Sequence, residues 1–333
     1  MKELLESYPQ TKYKLDEEER QKKLIRSKSP VFDGAKGELF YIEERGEWLP
    51  SPKVIQRREN TKNLFKDIRE TAIQYFELND IEWWGQSENL YFPTGHVLSS
   101  QIHCLNHLFA IRADHDAVLK IIQSIFNDIK DVLPSPIDEK FCYMERFPYE
   151  TPSFISFEFI YNNREYLHER CNKRGANCTS VDAFIYAIDK DDNYILIPIE
   201  WKYTEAYNQD DDKRVKDDVI QKRYLDLVNQ EDSNLSRWSE NYYWDPQYEL
   251  ARQTLLIEQI IRNKPFPACD YRHIVVCPRD NTEMMQDAKS FRESLKNKSK
   301  FRIIDPQELL SPIAEDKNYE DLITYLQIRY WKK

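Results

Sequence analysis

Asp182, Glu200 and Lys202 are the side chains of this chain whose types and spacing best suit shared chemistry. Asp182 lies in an apolar run, Val181 to Ile188, and Glu200-Trp201-Lys202 falls near the end of a second, Tyr194 to Tyr203. Both runs are rich in β-branched and aromatic residues, and Asp189-Lys190-Asp191-Asp192-Asn193 between them is turn chemistry. Two carboxylates beside an ammonium group suit metal-assisted phosphodiester hydrolysis. Magnesium, with manganese as its substitute, keeps several waters and needs only one or two carboxylates plus a substrate phosphate. Such an ion polarises the phosphoryl oxygen and lowers the pKa of the attacking water. Lys202 would neutralise developing charge or orient that water. The competing explanation is a buried Asp–Lys–Glu salt-bridge cluster without turnover, which is costly unless every group is paired.

The elements that must position these groups follow from arithmetic. If Ile188 pairs with Tyr194 across the turn, a constant pair sum sets Asp182 opposite Glu200. Directly opposed residues have Cβ atoms roughly 4.5–5.5 Å apart, close enough to share a divalent cation. Side chains alternate along a strand, so Lys202 shares the face of Glu200. The other face carries Val181, Ala183, Ile185, Ala187, Ile195, Ile197, Ile199 and Trp201, an apolar surface for covering helices. Pro198 has no N–H for a ladder and predicts an edge, a bulge or a local break.

The spacing of Asp182 and Glu200-Trp201-Lys202 resembles the PD-(D/E)XK nuclease superfamily. Longer strings resemble one bacterial branch described as restriction endonucleases: NLFKDIRE (Asn63 to Glu70), PTGHVLSSQIHCLNHLF (Pro93 to Phe109), ISFEFI (Ile155 to Ile160), RGANCTSVDAFIYAIDK (Arg174 to Lys190), IPIEWKYTE (Ile197 to Glu205) and ARQTLLIEQ (Ala251 to Gln259). The resemblance implies an α/β fold with a mixed central β-sheet flanked by helices, and a magnesium-dependent DNA endonuclease site. In that site Asp182 and Glu200 hold the metal and Lys202 assists. It names no DNA target.

Glu158, between Phe157 and Phe159, is a candidate further metal ligand, or a carboxylate on a solvated strand face. Gln101, Arg252, Gln253 and Glu205 are candidates to support the site or contact DNA. His103 and His107, four apart on a helix, are spaced to bind zinc with Cys104 or His96, but core or interface histidines explain the pattern better.

A chain of 333 residues can bury a sizeable core. No apolar run approaches the roughly 20 residues that cross a membrane, and MKELLESYPQ has no apolar signal core. The six cysteines (Cys104, Cys142, Cys171, Cys178, Cys269 and Cys277) form no CxxC pair, so reduced thiols and a cytoplasmic protein are expected. Six glycines with no fingerprint argue against a phosphate loop or dinucleotide fold. The net charge of −10 opposes nonspecific coating of nucleic acid. Local basic groups at Lys53, Arg57, Arg58, Lys62, Lys66 and Arg69, and at Lys296, Lys298, Lys300 and Arg302, either line a DNA groove or are ordinary solvated faces. Acidic density at Asp210-Asp211-Asp212 and Asp217-Asp218 follows the motif.

Residues 1–60 read as an N-terminal extension, with a surface helix over Leu15 to Ile25 and a loop-rich arm over 30–55. Residues 61–333 read as the nuclease-like domain. Helices are expected over Asn63 to Phe76, Leu98 to Arg112, Ala117 to Ile129 and from Asp245-Pro246 to Arg262. Strands are expected at Phe154 to Tyr161, Val181 to Ile188, Tyr194 to Tyr203, Tyr271 to Cys277 and Phe301 to Ile304, and Asp305-Pro306 with Glu308 reads as a capping box. The functions consistent with this pattern are a restriction-type DNA endonuclease, with a homodimer supplying two cuts, and a non-cleaving nucleic-acid-binding or assembly protein. A repair or structure-specific nuclease is a third.

Overall fold

A mixed sheet of seven strands, counted among the described residues, carries the candidate residues. The computed structural model describes residues 10–42, 46–84, 92–136, 153–161, 164–169, 178–207 and 214–331. The strands are β1 (Gly37–Ile42), β2 (Glu47–Ile55), β3 (Ile129–Leu133), β4 (Ser156–Phe159), β5 (Val181–Asp189), β6 (Tyr194–Trp201), β7 (Asp270–Tyr271), β8 (His273–Val276) and β9 (Phe301–Ile304). The helices used below are α1 (Lys12–Arg26), α2 (Arg69–Leu78), α3 (Ser100–Leu108), α4 (His115–Ile125), α5 (Asp217–Arg223), α6 (Leu225–Val228), α7 (Gln247–Asn263), α8 (Thr282–Ser294), α9 (Pro306–Leu310) and α10 (Glu320–Arg329). The sheet order is β3-β5-β6-β8-β9, with β4 also on β5 and β7 also on β6. β3, β4 and β6 run antiparallel to β5, whereas β7 and β8 run parallel to β6 and β9 parallel to β8.

The β5–β6 hairpin has the register that its turn dictates, from Ile188 opposite Tyr194 to Ala183 opposite Ile199. Asp189 shapes the turn by accepting the N–H groups of Asp191 and Asn193 at 2.9 and 2.8 Å. Pro198 stays in register with Phe184 on an interior strand, neither at an edge nor at a bulge. Its missing donor is accommodated on the other side, where pairing is interrupted between Leu196–Tyr271 and Ile199–Ile274. A local break in the neighbouring strand thus replaces the ladder bond that proline cannot make.

Two cores clothe the sheet. Ala183, Ile185, Ala187, Ile195, Ile197, Ile199 and Trp201 pack with residues of α3, α4 and α10 on one face. Phe184, Tyr186 and Leu196 pack with α7 and α8 on the other. Val181 joins the second core, and Phe157 and Phe159 fall in different cores although two residues apart. The alternation breaks at Glu158, whose φ is +49°. Left-handed backbone is costly for a residue with a Cβ and is kept where the surroundings enforce it.

Elements outside the hairpin depart more from expectation. The segment read as a loop-rich arm contains the β1–β2 hairpin. The helix expected to reach Ile129 ends at Ile125, and Ile129 opens β3 instead. The first helical turn expected at Asn63 is 3-10 in character, and α2 starts at Arg69. α7 begins at Gln247 with Pro246 at its N-cap position, one residue later than expected, and the Asp245 carboxyl accepts the Glu249 N–H of its first turn. Asp305 does cap α9, accepting from Gln307 N–H at 2.8 Å, but Glu308 turns to Arg279 and does not close a box. α1 is more than a surface helix, because Tyr13, Glu17, Gln21 and Ile25 are buried. No disulfide joins the described cysteines Cys104, Cys178, Cys269 and Cys277 to one another, while Cys142 and Cys171 lie outside the described residues.

Candidate active site

Regular pairing of β5 with β6 ends at Ala183 opposite Ile199, one residue short of Asp182 and Glu200. Asp182 nevertheless stands near enough to Glu200 for its charge to act on that carboxyl. Phe157 opposite Ala183 and Phe159 opposite Val181 bracket Glu158 at the level of Asp182, whose carboxyl feels its charge. Three carboxylates from three adjacent strands therefore share one row. β5 and β6 part beyond Ala183–Ile199, and the Asp182 carboxylate takes over the next link by accepting Trp201 N–H at 2.6 Å. That bond fixes Asp182 to the residue between Glu200 and Lys202.

Glu200 and Lys202 are 3% and 5% exposed. Lys202 Nζ lies 2.5 Å from Glu200 Oε1 and 2.5 Å from Oε2 of Glu249, which reaches in from the first turn of α7. Gln253, one helical turn further along and fully buried, donates Nε2 to Glu200 and to Ser180 O, the latter at 2.8 Å. Its Oε1 is buried with no partner among the described residues. Spacing of i, i+4 puts Glu249 and Gln253 on one helix face. α7 covers the row with an acid that binds the lysine and an amide that binds Glu200.

The charges do not balance. Asp182, Glu200 and Glu249 surround a single ammonium, with Glu158 in the next place along the row. Burial pushes the Asp182 carboxyl well above its ordinary value, and the Glu158 charge adds to the shift. Glu200 is raised by burial first, then by Asp182 and Glu249, against the pull of Lys202. Burial works to lower the Lys202 pKa, but Glu200 and Glu249 outweigh it and the amine is held as an ammonium. For Glu249 the balance tips the other way, because Lys202 and Arg252 overcome its burial and leave its pKa lowered. The Cys104 thiol, raised first by burial, also feels Asp182, Glu158 and Glu200, which locates all three near α3.

The supporting candidates separate. Gln101 on α3 donates to Glu158 Oε1 at 2.8 Å and so holds the end of the row. Gln253 holds Glu200. Arg252 does not touch the row: its guanidinium lies over Tyr248 at 4.5 Å and reaches Thr179 Oγ1 at 3.4 Å, bracing the approach to β5. Glu205 accepts Tyr203 N–H at 2.6 Å and shapes the turn after the motif. His103 and His107 are aromatic-core residues. Trp201 Nε1 donates to His103 Nδ1 at 2.6 Å and Trp331 Nε1 donates to His107 Nε2 at 3.1 Å. Burial lowers the pKa of both rings, His107 to about 3, so both stay neutral.

Glu249 is the member that the sequence reading missed. Its place one turn before Gln253 on the same helix face could be read, but an acid in a first helical turn is ordinary and nothing local tied it to Lys202. Among the basic groups weighed for DNA, Lys53 pairs with Glu18, Lys66 with Asp321, Lys298 with Glu293 and Lys300 with Asp270. Arg174 to Asn177 and Asp210-Asp211-Asp212 lie outside the described residues.

Among the described residues no group of three or more His, Cys, Asp or Glu side chains is arranged to hold a metal ion. The donor set nevertheless suits a hard divalent cation, which takes one or two carboxylates and water. Crowded carboxyl groups whose ionisation burial opposes are the kind that such an ion relieves. No helix among the described residues is long and apolar enough to cross a membrane.

No curated protein and no solved structure matches this chain. Residues 6–331, nearly the whole chain, match one family, and the chain belongs to it: the family described as Restriction Endonuclease associating with ARP.

Proposed function

We propose that this chain is a metal-dependent DNA endonuclease of restriction type on a PD-(D/E)XK core, with Asp182, Glu200 and Lys202 as its catalytic residues. The observation that carries the reading is the row of crowded carboxyl groups whose ionisation burial opposes, pinned beside a buried ammonium on the sheet. Family membership supports it, since the family's description is that of a restriction endonuclease. Asp182 and Glu200, with Glu158 as the next acid, would hold Mg2+ or Mn2+. When bound, that ion would polarise the phosphoryl group and supply a more acidic water. Trp201 N–H fixes the direction of Asp182, and Gln253 fixes Glu200. Lys202, as an ammonium, donates hydrogen bonds to negative charge developing on phosphoryl oxygen, and it cannot act as a base in that form. A homodimer would bring two such sites to the two strands.

Plasmid conversion tests this reading. Supercoiled DNA is expected to be nicked or linearised with Mg2+ or Mn2+, and Asp182→Ala and Lys202→Ala should lose at least ~100-fold in rate. A folded wild type that leaves varied DNA intact in either ion would overturn it. A second reading, a non-cleaving nucleic-acid-binding or assembly protein on the same fold, draws on the closed ion-pairing of Lys202 by Glu200 and Glu249. Tight binding of DNA without cleavage would favour that reading.

A further inference from the structure

A cavity of about 480 Å3 lies at the carboxyl ends of β8 and β9, and neither Asp182, Glu200 nor Lys202 lines it. Pro278 and Arg279 follow β8, and Asp305 and Pro306 follow β9, with both strands parallel to β6. In open α/β sheets this end is where ligands are bound. The volume lies within the range of small-molecule sites.

Its surfaces specify a ligand. Tyr13 from α1, and Tyr330 and Trp331 after α10, supply aromatic walls. His103 also lines it and is 1% exposed. The Nδ1 of His103 accepts from Trp201 Nε1 at 2.6 Å, so the proton of the neutral ring sits on Nε2. This Nε2–H makes no hydrogen bond with the described residues, which leaves a nearly buried donor at the cavity wall. The mouth is acidic, with Glu308 and Asp280, and its cation Arg279 is held by Glu308 at 3.1 Å. A phosphate would meet carboxylates and no unpaired guanidinium there. A flat, uncharged heterocycle fits: one edge accepts from His103, and an exocyclic amine donates to Glu308 or to the exposed Gln307 amide.

We propose that this cavity binds a free nucleobase or nucleoside, and not a nucleotide or a base within a strand. The inference stands apart from the nuclease reading. Its consequence reaches the motif, because His103 holds Trp201 and stacks on Tyr203 at 4.1 Å, the residues on either side of Lys202.

The test uses the full-length protein and isothermal titration with adenosine, guanosine, cytidine, adenosine monophosphate and a short single-stranded oligonucleotide. At least one amino-bearing nucleoside is expected to bind with a Kd on the order of 0.1–1 mM, the efficiency usual for a ligand of this size. The monophosphate should bind about tenfold more weakly. Ser311→Tyr, which fills the mouth from an exposed position, should weaken the nucleoside by about tenfold or more with an unchanged melting curve. Glu308→Ala, likewise exposed, should weaken it by about threefold and serves if Ser311→Tyr is unstable. Three outcomes would overturn the proposal: no nucleoside binding at several times the expected Kd, affinity unaltered in both variants, or a preference for the monophosphate or oligonucleotide over the nucleoside.

Discussion

Lys202 joins two elements through one atom: its Nζ is 2.5 Å from Glu200 Oε1 on the sheet and 2.5 Å from Glu249 Oε2 on α7. Removing the ammonium would leave two acids facing each other beneath the helix. Lys202→Met is therefore expected to destabilise the fold by about 3 kcal/mol, near the lower end for a broken buried pair because the Glu249 side chain is 29% exposed. Adding Glu249→Gln should recover more than half of that loss. Urea unfolding of the two variants checks both statements; a single variant within about 1 kcal/mol of wild type would contradict them.

Gln253 tests whether the amide of α7 serves the site or only the fold. Gln253→Leu keeps the volume but strips Glu200 and Ser180 O of their shared donor, at a cost of about 1–3 kcal/mol. If the amide orients a metal-binding carboxylate, Mn2+ affinity should fall by about tenfold or more. Titration of Mn2+ by electron paramagnetic resonance, on protein shown to be folded, reads this directly. Unaltered affinity with lowered stability would assign Gln253 to packing alone.

The raised carboxyls make stability depend on pH with a definite sign. A group whose folded pKa exceeds its unfolded value holds its proton more tightly in the folded state. Its contribution is fully present below the ordinary carboxylate range and is lost as pH rises through the raised value. Asp182 and Glu200 are both raised, chiefly by burial. The melting temperature of metal-free wild type, relative to Asp182→Asn, should therefore fall as pH rises above the ordinary carboxylate range. Magnesium should reduce this decline, because a bound cation favours the ionised carboxylates. A pH-independent difference between the two proteins would contradict the assignment.

The α1 helix carries its own prediction. Glu17, 1% exposed, accepts from Tyr203 Oη at 2.8 Å and pairs with Arg20, while Gln21 Nε2 donates to Arg329 O at 2.9 Å. The helix thus clamps the residue after Lys202 to the end of α10. Glu17→Ala should cost about 3 kcal/mol, because Arg20 loses its carboxylate and keeps, among the described residues, only backbone carbonyls of Arg329 and Tyr330, and Tyr203 loses its acceptor. Calorimetric melting checks this, and a change in Tm of less than about 1 °C would contradict it.

The hairpin was legible in the sequence because its signals are local. A polar turn of fixed length and β-branched runs on both sides leave one register, which holds from Ile188–Tyr194 to Ala183–Ile199. Phe301 to Ile304 was equally plain, a short apolar run before an Asp-Pro helix start. What failed depended on distant contacts. Ile129 continues the apolar pattern of α4, and only pairing with Asp189 makes it a strand residue. Glu17 and Gln21 read as solvated polar positions until Tyr203 and Arg329 arrive from far along the chain. Glu249 resembled any acid in a first helical turn, where the helix dipole favours one. Glu158 was located in sequence, but its left-handed backbone and its place against Asp182 required the fold.

The central claim is that the row of acids beside Lys202 seats a divalent cation. Anomalous diffraction from crystals soaked in Mn2+ tests it with least interpretation. The account predicts a peak bridging the carboxylates of Asp182 and Glu200, absent in Asp182→Asn crystals grown and soaked alike. A wild-type structure at saturating Mn2+ with no peak there, and Lys202 still locked between Glu200 and Glu249, would contradict it.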